Sequence, residues 1–173
     1  MENALPPPEV REEALAARLA GLDIAFKTHA HEPVFTVEEA RALRGALPGG
    51  HTKNLFLKDK KAGLWLVVAR EELRVDLNAL SKALGAPRFS FGSPELLMAV
   101  LGVPPGSVTP FAILNDKDCA VRVVLDEGML AFDPLNFHPL RNDRTTAIAP
   151  NDLLKFLRAC NHEPLVMKLP EVN

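Results

Sequence analysis

An α+β fold, with a mixed, largely antiparallel sheet surrounded by helices, is predicted by three observations. Apolar runs that read as strands fall in hairpin-like clusters, as in Leu55 to Lys58 and Leu64 to Ala69 on either side of Asp59-Lys60-Lys61-Ala62-Gly63. Segments with helical spacing stand between these clusters without a strict alternation of strand and helix, which argues against a doubly wound sheet. The length, 173 residues, suits one domain with a substantial core, so residues 1–173 are expected to form a single domain.

The elements follow in order. The run Pro6 to Pro8 can precede a helix but not sit inside one, and Leu15, Leu19 and Leu22 recur at helical spacing until Gly21 and Asp23 interrupt. Ile24, Phe26 and Thr28 alternate with Ala25, Lys27 and His29, as in a half-buried strand. Thr36 and Glu39 have capping-box spacing and predict a helix through about Arg44. After the breaker Pro48-Gly49-Gly50, Leu55 and Leu57 alternate with Asn54, Phe56 and Lys58. Leu64 to Ala69, apolar throughout, is expected to be buried on both faces at the centre of the sheet. Asp76 can cap a helix carrying Leu77, Leu80 and Leu84, stopped by Gly85, and Ser93-Pro94-Glu95 opens another that ends at Gly102. Phe89 and Phe91 between them mark a short strand. Val103 to Pro110 is too rich in proline and glycine for regular structure, and it feeds Phe111 to Leu114, read as a strand. Val121 to Leu125, Met129 to Phe132 and Thr145 to Ile148 read as further strands, with a loop holding Asn136, His138 and Asn142 before the last. Pro150-Asn151-Asp152 introduces a final helix with Leu153, Leu154 and Leu157 facing inward, and Pro164 to Asn173 can add an extended strand. Most strand pairs are therefore expected to be hairpins.

Composition narrows the function classes. With 47% hydrophobic and 24% charged residues and a mean hydropathy of +0.04, the chain is of the ordinary globular type. No apolar run approaches the ~20 residues needed to span a bilayer, and the first residues lack the basic and apolar regions of a secretory signal; a cytoplasmic location without membrane contact is the expectation. The net charge of −2 excludes a globally basic nucleic-acid binder but not a local basic patch. Cys119 and Cys160 form no CxxC, so they are expected to be buried small apolar residues.

The stretch Gly49 to Asp59 is the first candidate for chemistry, because a glycine loop runs directly into an alternating strand and brings a histidine, a lysine and an amide to that point. No serine lies in a GxSxG elbow and neither cysteine has a protease context. The pairs His29 with His31 and Cys160 with His162 lack the companions of a metal site, and phosphate-binding glycine motifs are absent. What remains is Lys53 with Asn54, the loop Gly106-Ser107-Val108-Thr109-Pro110, and His138. A lysine there can be a point charge for a phosphate or an amine whose pKa falls on burial until it acts as a base; pattern alone does not choose.

At these residues the chain resembles the YbaK/ProX family of aminoacyl-tRNA deacylases, stand-alone relatives of the editing domain of bacterial prolyl-tRNA synthetase. The resemblance runs from His31-Glu32-Pro33-Val34-Phe35-Thr36-Val37-Glu38-Glu39-Ala40, through Lys53-Asn54-Leu55-Phe56-Leu57-Lys58-Asp59, to Gly106-Ser107-Val108-Thr109-Pro110-Phe111 and Phe137-His138-Pro139-Leu140 with Thr145-Thr146. Its wording is most similar to the branch that hydrolyses alanyl-tRNA(Pro).

The resemblance implies a trans-editing hydrolase for mischarged tRNA that needs no metal or other cofactor, with seryl- or cysteinyl-tRNA(Pro) as alternative substrates and a silent tRNA-binding module of the same fold as the alternative class. It carries the family's essential lysine onto Lys53 with Asn54 beside it, its histidine onto His138, and its aminoacyl-holding loop onto Gly106 to Pro110. Phe35, Leu43 and Phe56 are candidate pocket walls. Lys58, Lys60, Lys61, Arg70 and Arg74 are a candidate track for the acceptor stem. The partners implied are the acceptor end of mischarged tRNA and prolyl-tRNA synthetase. Within that reading the glycines at 49 and 50 would let the chain approach the tRNA end, and Arg141-Asn142-Asp143-Arg144 has no interpretation.

Overall fold

Long strand β2 (Gly50–Asp59) organises a sheet of eight strands in the computed structural model, which describes residues 5–33, 36, 38, 39, 41, 42 and 47–173. The remaining strands are β1 (Phe26–Ala30), β3 (Leu64–Arg70), β4 (Phe89–Phe91), β5 (Val121–Asp126), β6 (Leu135–Phe137), β7 (Arg144–Ile148) and β8 (Leu165–Met167). They run in the order β1-β7-β6-β2-β3-β5-β8, with β4 beside β2. Four pairs are antiparallel, namely β1 with β7, β2 with β3, β2 with β4 and β6 with β7. Three are parallel: β2 with β6, β3 with β5 and β5 with β8. The sheet is mixed as expected, although only β2–β3 and β6–β7 join strands consecutive along the chain.

Both faces of the sheet are buried, because adjacent residues of a strand point to opposite sides. On one face Phe56, Leu66, Val68, Val123 and Leu125 meet Leu15 and Leu19 of α1 (Pro8–Gly21), Leu97 and Leu101 of α3 (Pro94–Leu101), and Leu153, Phe156 and Leu157 of α4 (Pro150–Ala159). On the other, Leu57, Trp65, Val67, Ala69 and Val124 pack with Leu80 of α2 (Leu77–Ala83), Leu73, Phe89 and Leu169. Leu64 to Ala69 thus serves both cores, as an uninterrupted apolar run requires. The anticipated caps form: Asp76 accepts from the Ala79 amide and Ser93 from that of Leu96. The Glu39 amide donates to Thr36 Oγ1 at 3.1 Å and Glu38, Glu39, Arg41 and Ala42 are helical, while the rest of that predicted helix lies outside the described residues.

Three expectations are corrected. Phe111 to Leu114 is not a strand but part of a 3-10 helix, Pro110–Asn115, because Thr109 Oγ1 accepts from the Phe111 amide and Pro110 sets the first turn. Met129 to Phe132 is likewise displaced by a 3-10 turn, Glu127–Ala131, which Asp126 opens by accepting from the Gly128 amide. The cysteines are not fully buried: Cys119 is exposed and Cys160 half-buried.

The turn of the β2–β3 hairpin is organised by Asp59, which is 7% exposed. One carboxylate oxygen accepts from the Lys61 and Gly63 amides at 2.8 and 2.9 Å, and the other accepts from Trp65 Nε1 at 3.1 Å. The Trp65 donor, the two amides and the Arg122 charge hold its carboxyl below the usual carboxylate range, against burial, which raises it. A depressed folded-state pKa stabilises the fold above the unfolded value near ~3.9, and the stabilisation is lost as pH falls through the folded value. Asp59→Asn should therefore lower stability at neutral pH by about 1–3 kcal/mol. Denaturant titrations of the two proteins should converge below pH ~4; a gap that stays constant into acid would contradict this role.

Candidate active site

The start of β2 is laid against the segment before β6. Gly49 has φ +97°, and a Cβ there would lie 2.2 Å from the Pro134 carbonyl oxygen; one on Gly50 would lie 2.8 Å from Phe132 Cβ. The Gly50 amide donates to Pro134 O at 2.8 Å. Buried Asn136 donates from Nδ2 to the carbonyls of Pro48 and Gly50, at 3.0 and 3.1 Å. The two glycines are thus required by contact with the protein's own 132–136 segment rather than by approach to a ligand. His51 is committed as well, its Nε2 donating to Leu47 O at 3.0 Å.

The parallel ladder between β2 and β6 ends at His51–Asn136. There the Thr52 hydroxyl takes the Asn136 carbonyl at 3.0 Å, one that a continuing ladder would offer to a backbone amide. On this side β2 next meets β4, where the Gly92 amide donates to Phe56 O and Leu57 pairs with Phe91, so Lys53 to Leu55 face an opening in the sheet among the described residues. Lys53 lies two residues beyond His51 and His138 two beyond Asn136, so alternation puts both on the face of that last pair, just past the end of the ladder. Lys53 is half-buried and has no carboxylate or hydrogen-bond partner among the described residues.

His138 is oriented by its Nδ1, which donates to the Arg144 carbonyl at 2.9 Å. That bond fixes the neutral tautomer and leaves Nε2 free to accept. Burial pushes the imidazole below its ordinary pKa, and neighbouring His31 adds to this, while the Arg144 carbonyl and Asp143 act in the opposite direction. The His31 ring centroid lies 6.4 Å from that of His138. His31 Nδ1 donates to Glu32 O at 2.7 Å, which leaves its Nε2 to accept from the Thr145 hydroxyl at 2.8 Å.

The loop from Gly106 to Pro110 reaches the same region through Gly106, which is exposed, has φ +84° and faces Asn142. Its other members are structural in these contacts. The Ser107 amide donates to Pro104 O, Val108 packs against the core, Thr109 caps the 3-10 helix, and Pro110 is buried. The turn carrying Asn142 is braced by Arg141, whose guanidinium pairs with the Asp143 carboxylate and donates to Glu12 of α1 at 3.2 Å. Arg144 Nε lies 3.4 Å from the same Glu12 oxygen. These bonds supply the interpretation that Arg141-Asn142-Asp143-Arg144 lacked in the sequence.

The remaining candidates divide. Asn54 is adjacent to Lys53 and therefore points to the opposite face; its Oδ1 is buried without a hydrogen-bond partner among the described residues. Phe56 is also on that opposite face, 5% exposed in the main core with its ring against Gly92, so it does not wall a pocket with Lys53. Phe35 and Leu43 lie outside the described residues. The five cations of the expected acceptor-stem track are not one patch: Lys58, Lys60 and Lys61 are at the hairpin end, whereas Arg70 is at the opposite end of β3, paired with Asp126 at 2.8 Å. Sequence reasoning overlooked Asn136 as the clamp and Thr145 as the partner of His31, because both bonds join residues more than 80 positions apart. Among the described residues no three His, Cys, Asp or Glu side chains are grouped to hold a metal ion, and no helix is long and apolar enough to cross a membrane.

The assembled groups are an uncommitted ammonium, an imidazole with a free acceptor and an exposed glycine backbone, a set suited to holding a polar substrate beside an anion-stabilising charge. Long-range ¹H–¹⁵N spectra at pH 7 should show His138 as the neutral Nδ1–H tautomer, with a midpoint below the ordinary ~6.5. A midpoint at or above that value would contradict this environment.

Residues 31–156 match the model of the aminoacyl-tRNA editing domain. "Prolyl-tRNA synthetase associated domain-containing protein 1" of Danio rerio is 39% identical over 166 residues, covering 95% of this chain and 90% of its own. "Prolyl-tRNA editing protein ProX" of Acetoanaerobium sticklandii is 34% identical over 149 residues, covering 86% and 91%. A crystal structure described as a candidate trans-editing enzyme for prolyl tRNA synthetase superposes with a TM-score of 0.74 at 23% identity, covering 98% of this chain and 100% of that one; at that identity the likeness concerns the fold. The chain belongs to the aminoacyl-tRNA editing domain family.

Proposed function

We propose that residues 1–173 act as one trans-editing domain that deacylates mischarged tRNA, with Ala-tRNA(Pro) as substrate, by ester hydrolysis without a metal. The observation that carries this reading is the position of Lys53: a half-buried ammonium without a carboxylate partner among the described residues, on the same face as His138 and beside an opening in the sheet. An aminoacyl ester is already activated. Its hydrolysis needs a placed water, charge or donors at the developing oxyanion and a held terminal adenosine more than it needs a strong nucleophile. Lys53 supplies the charge, at the terminal phosphate or at the reacting carbonyl. His138, neutral at Nε2, accepts from a substrate hydroxyl and positions it, and the Gly106 backbone faces the aminoacyl group. The vicinal ribose hydroxyl assists the water, which is why no protein base is assigned.

Specificity follows from size. A synthetase separates amino acids differing by one or two methylenes by only ~1–3 kcal/mol, so a second pocket that admits alanine and excludes the larger proline supplies the missing discrimination. The reading includes a cytoplasmic location and prolyl-tRNA synthetase as the protein that releases the substrate.

Single-turnover assays with alanyl-, seryl-, cysteinyl- and prolyl-tRNA(Pro) test it. Alanyl-tRNA(Pro) should be hydrolysed fastest and prolyl-tRNA(Pro) spared, and Lys53→Ala should lower the rate by about 10²–10³ with an unchanged melting temperature. Preference for the seryl or cysteinyl ester would move the assignment to those substrates, and no hydrolysis above the Lys53→Ala rate would leave a binding module. Rapid cleavage of a substrate lacking the ribose 2′-hydroxyl would rule out substrate assistance.

A further inference from the structure

The groups that the proposed reaction does not use include a row of basic residues on β1. Lys27, His29 and His31 are alternate residues, so they share one face, and the register Lys27↔Ala147 and His29↔Thr145 puts them on the same face as Thr145. Successive members stand ~6.8 Å apart along an extended strand. Lys27 is exposed and His29 half-buried, and neither has a hydrogen-bond or ion-pair partner among the described residues. Both line a cleft of about 430 Å³ whose other walls include Phe26, Pro48, Pro134 and Ala147. Among the described residues no carboxylate lines it; Asp23, Glu32 and Asp133 are exposed and outside its lining. At its upper end the row reaches His31, whose ring adjoins that of His138.

We infer that this face of β1 is the track for the unpaired 3′-terminal strand of the RNA substrate, an inference that rests on the deacylase reading. Lys27 and His29 would lie against successive phosphates upstream of the terminal nucleotide, which reaches His31 and His138. Pro48 and Pro134 provide flat apolar faces for sugars and bases beside the Lys27 charge, a pairing of charge and apolar surface of the kind by which single strands are held. β1 is the last strand of the sheet on its side, so among the described residues no further strand has to be displaced for an extended ligand to enter. A peptide adding to the same edge is disfavoured, because an outward lysine on an edge strand opposes strand addition. An extended polyanion, in contrast, matches the Lys27 ammonium and the His29 imidazole in a cleft that no carboxylate among the described residues lines.

Binding that does not depend on hydrolysis tests the track. Uncharged tRNA(Pro) and a labelled single-stranded RNA ending in CCA are titrated at several salt concentrations against the wild type, Lys27→Ala, Lys27→Glu, His29→Ala and, as a surface control on α4, Lys155→Ala. Lys27→Ala should weaken both RNAs about three- to tenfold at low salt and reduce the slope of log affinity against log salt by ~0.7, the value for one contact to a single strand. Lys27→Glu should weaken them further, His29→Ala should weaken them less, and Lys155→Ala should leave affinity and slope unchanged. In deacylation Lys27→Ala should raise KM with little change in kcat. Affinity and slope in Lys27→Glu equal to the wild type would overturn the track while leaving the deacylase reading in place, and a wild type that binds neither RNA would overturn it too. Loss of binding in Lys27→Glu together with no deacylation by the wild type would uphold the RNA track and discard the enzymatic reading.

Discussion

The clamp made by Asn136 is the interaction on which the rest of the site depends. Its amide spans the carbonyls of Pro48 and Gly50, and its own carbonyl is taken by the Thr52 hydroxyl. These bonds join the β1-β7-β6 side of the sheet to the β2-β3-β5-β8 side, where the backbone ladder is only two residue pairs long. The contact is so close that neither Gly49 nor Gly50 can carry a side chain without displacing Phe132 or Pro134. The same clamp ends the ladder early and so creates the opening beside Lys53. A longer β2–β6 ladder would close the sheet and fill that space with backbone.

The distribution of charge follows a similar division of labour. Cations that brace loops are paired: Arg141 with Asp143 and Glu12, and Arg70 with Asp126. Asp143 holds Arg141 strongly protonated, while the guanidinium lowers the Asp143 carboxyl, so this brace is charged throughout the neutral range. Lys53, Lys27 and His29 are left without partners among the described residues. In a chain whose net charge is −2, the attraction to RNA that the proposed function requires has to come from such local concentration rather than from total charge.

The face on which each side chain lies also separates function from packing within one strand. Asn54, Phe56 and Leu66 belong to the face of the main core, and Lys53 belongs to the face that carries His31, Thr145 and His138. A one-residue slip of β2 would exchange the two sets, placing the lysine in the core. The register is guarded at the other end by Asp59, whose bonds to Lys61, Gly63 and Trp65 fix where the hairpin turns.

Much of the fold could be read along the chain because its signals are local. The caps at Asp76 and Ser93, the doubly buried run Leu64 to Ala69, the hairpin after Asp59 and the helix from Pro150 all rest on residues within a few positions of one another. Lys53, His138 and Gly106 stood out by the same kind of wording. Where local signals competed, hydrophobicity misled: Phe111 to Leu114 and Met129 to Phe132 look like strands, yet Thr109 and Asp126 accept backbone amides that turn both into 3-10 helices. The three residues of β6 are too few to show a period. Tertiary structure alone decided that Asn54 and Phe56 face away from Lys53, that the glycines serve Pro134 and Phe132, and that Arg141 is a brace to α1. Each of these is set by strand register or by bonds across 80 or more positions, and periodicity along a chain carries no information about which distant segment lies alongside.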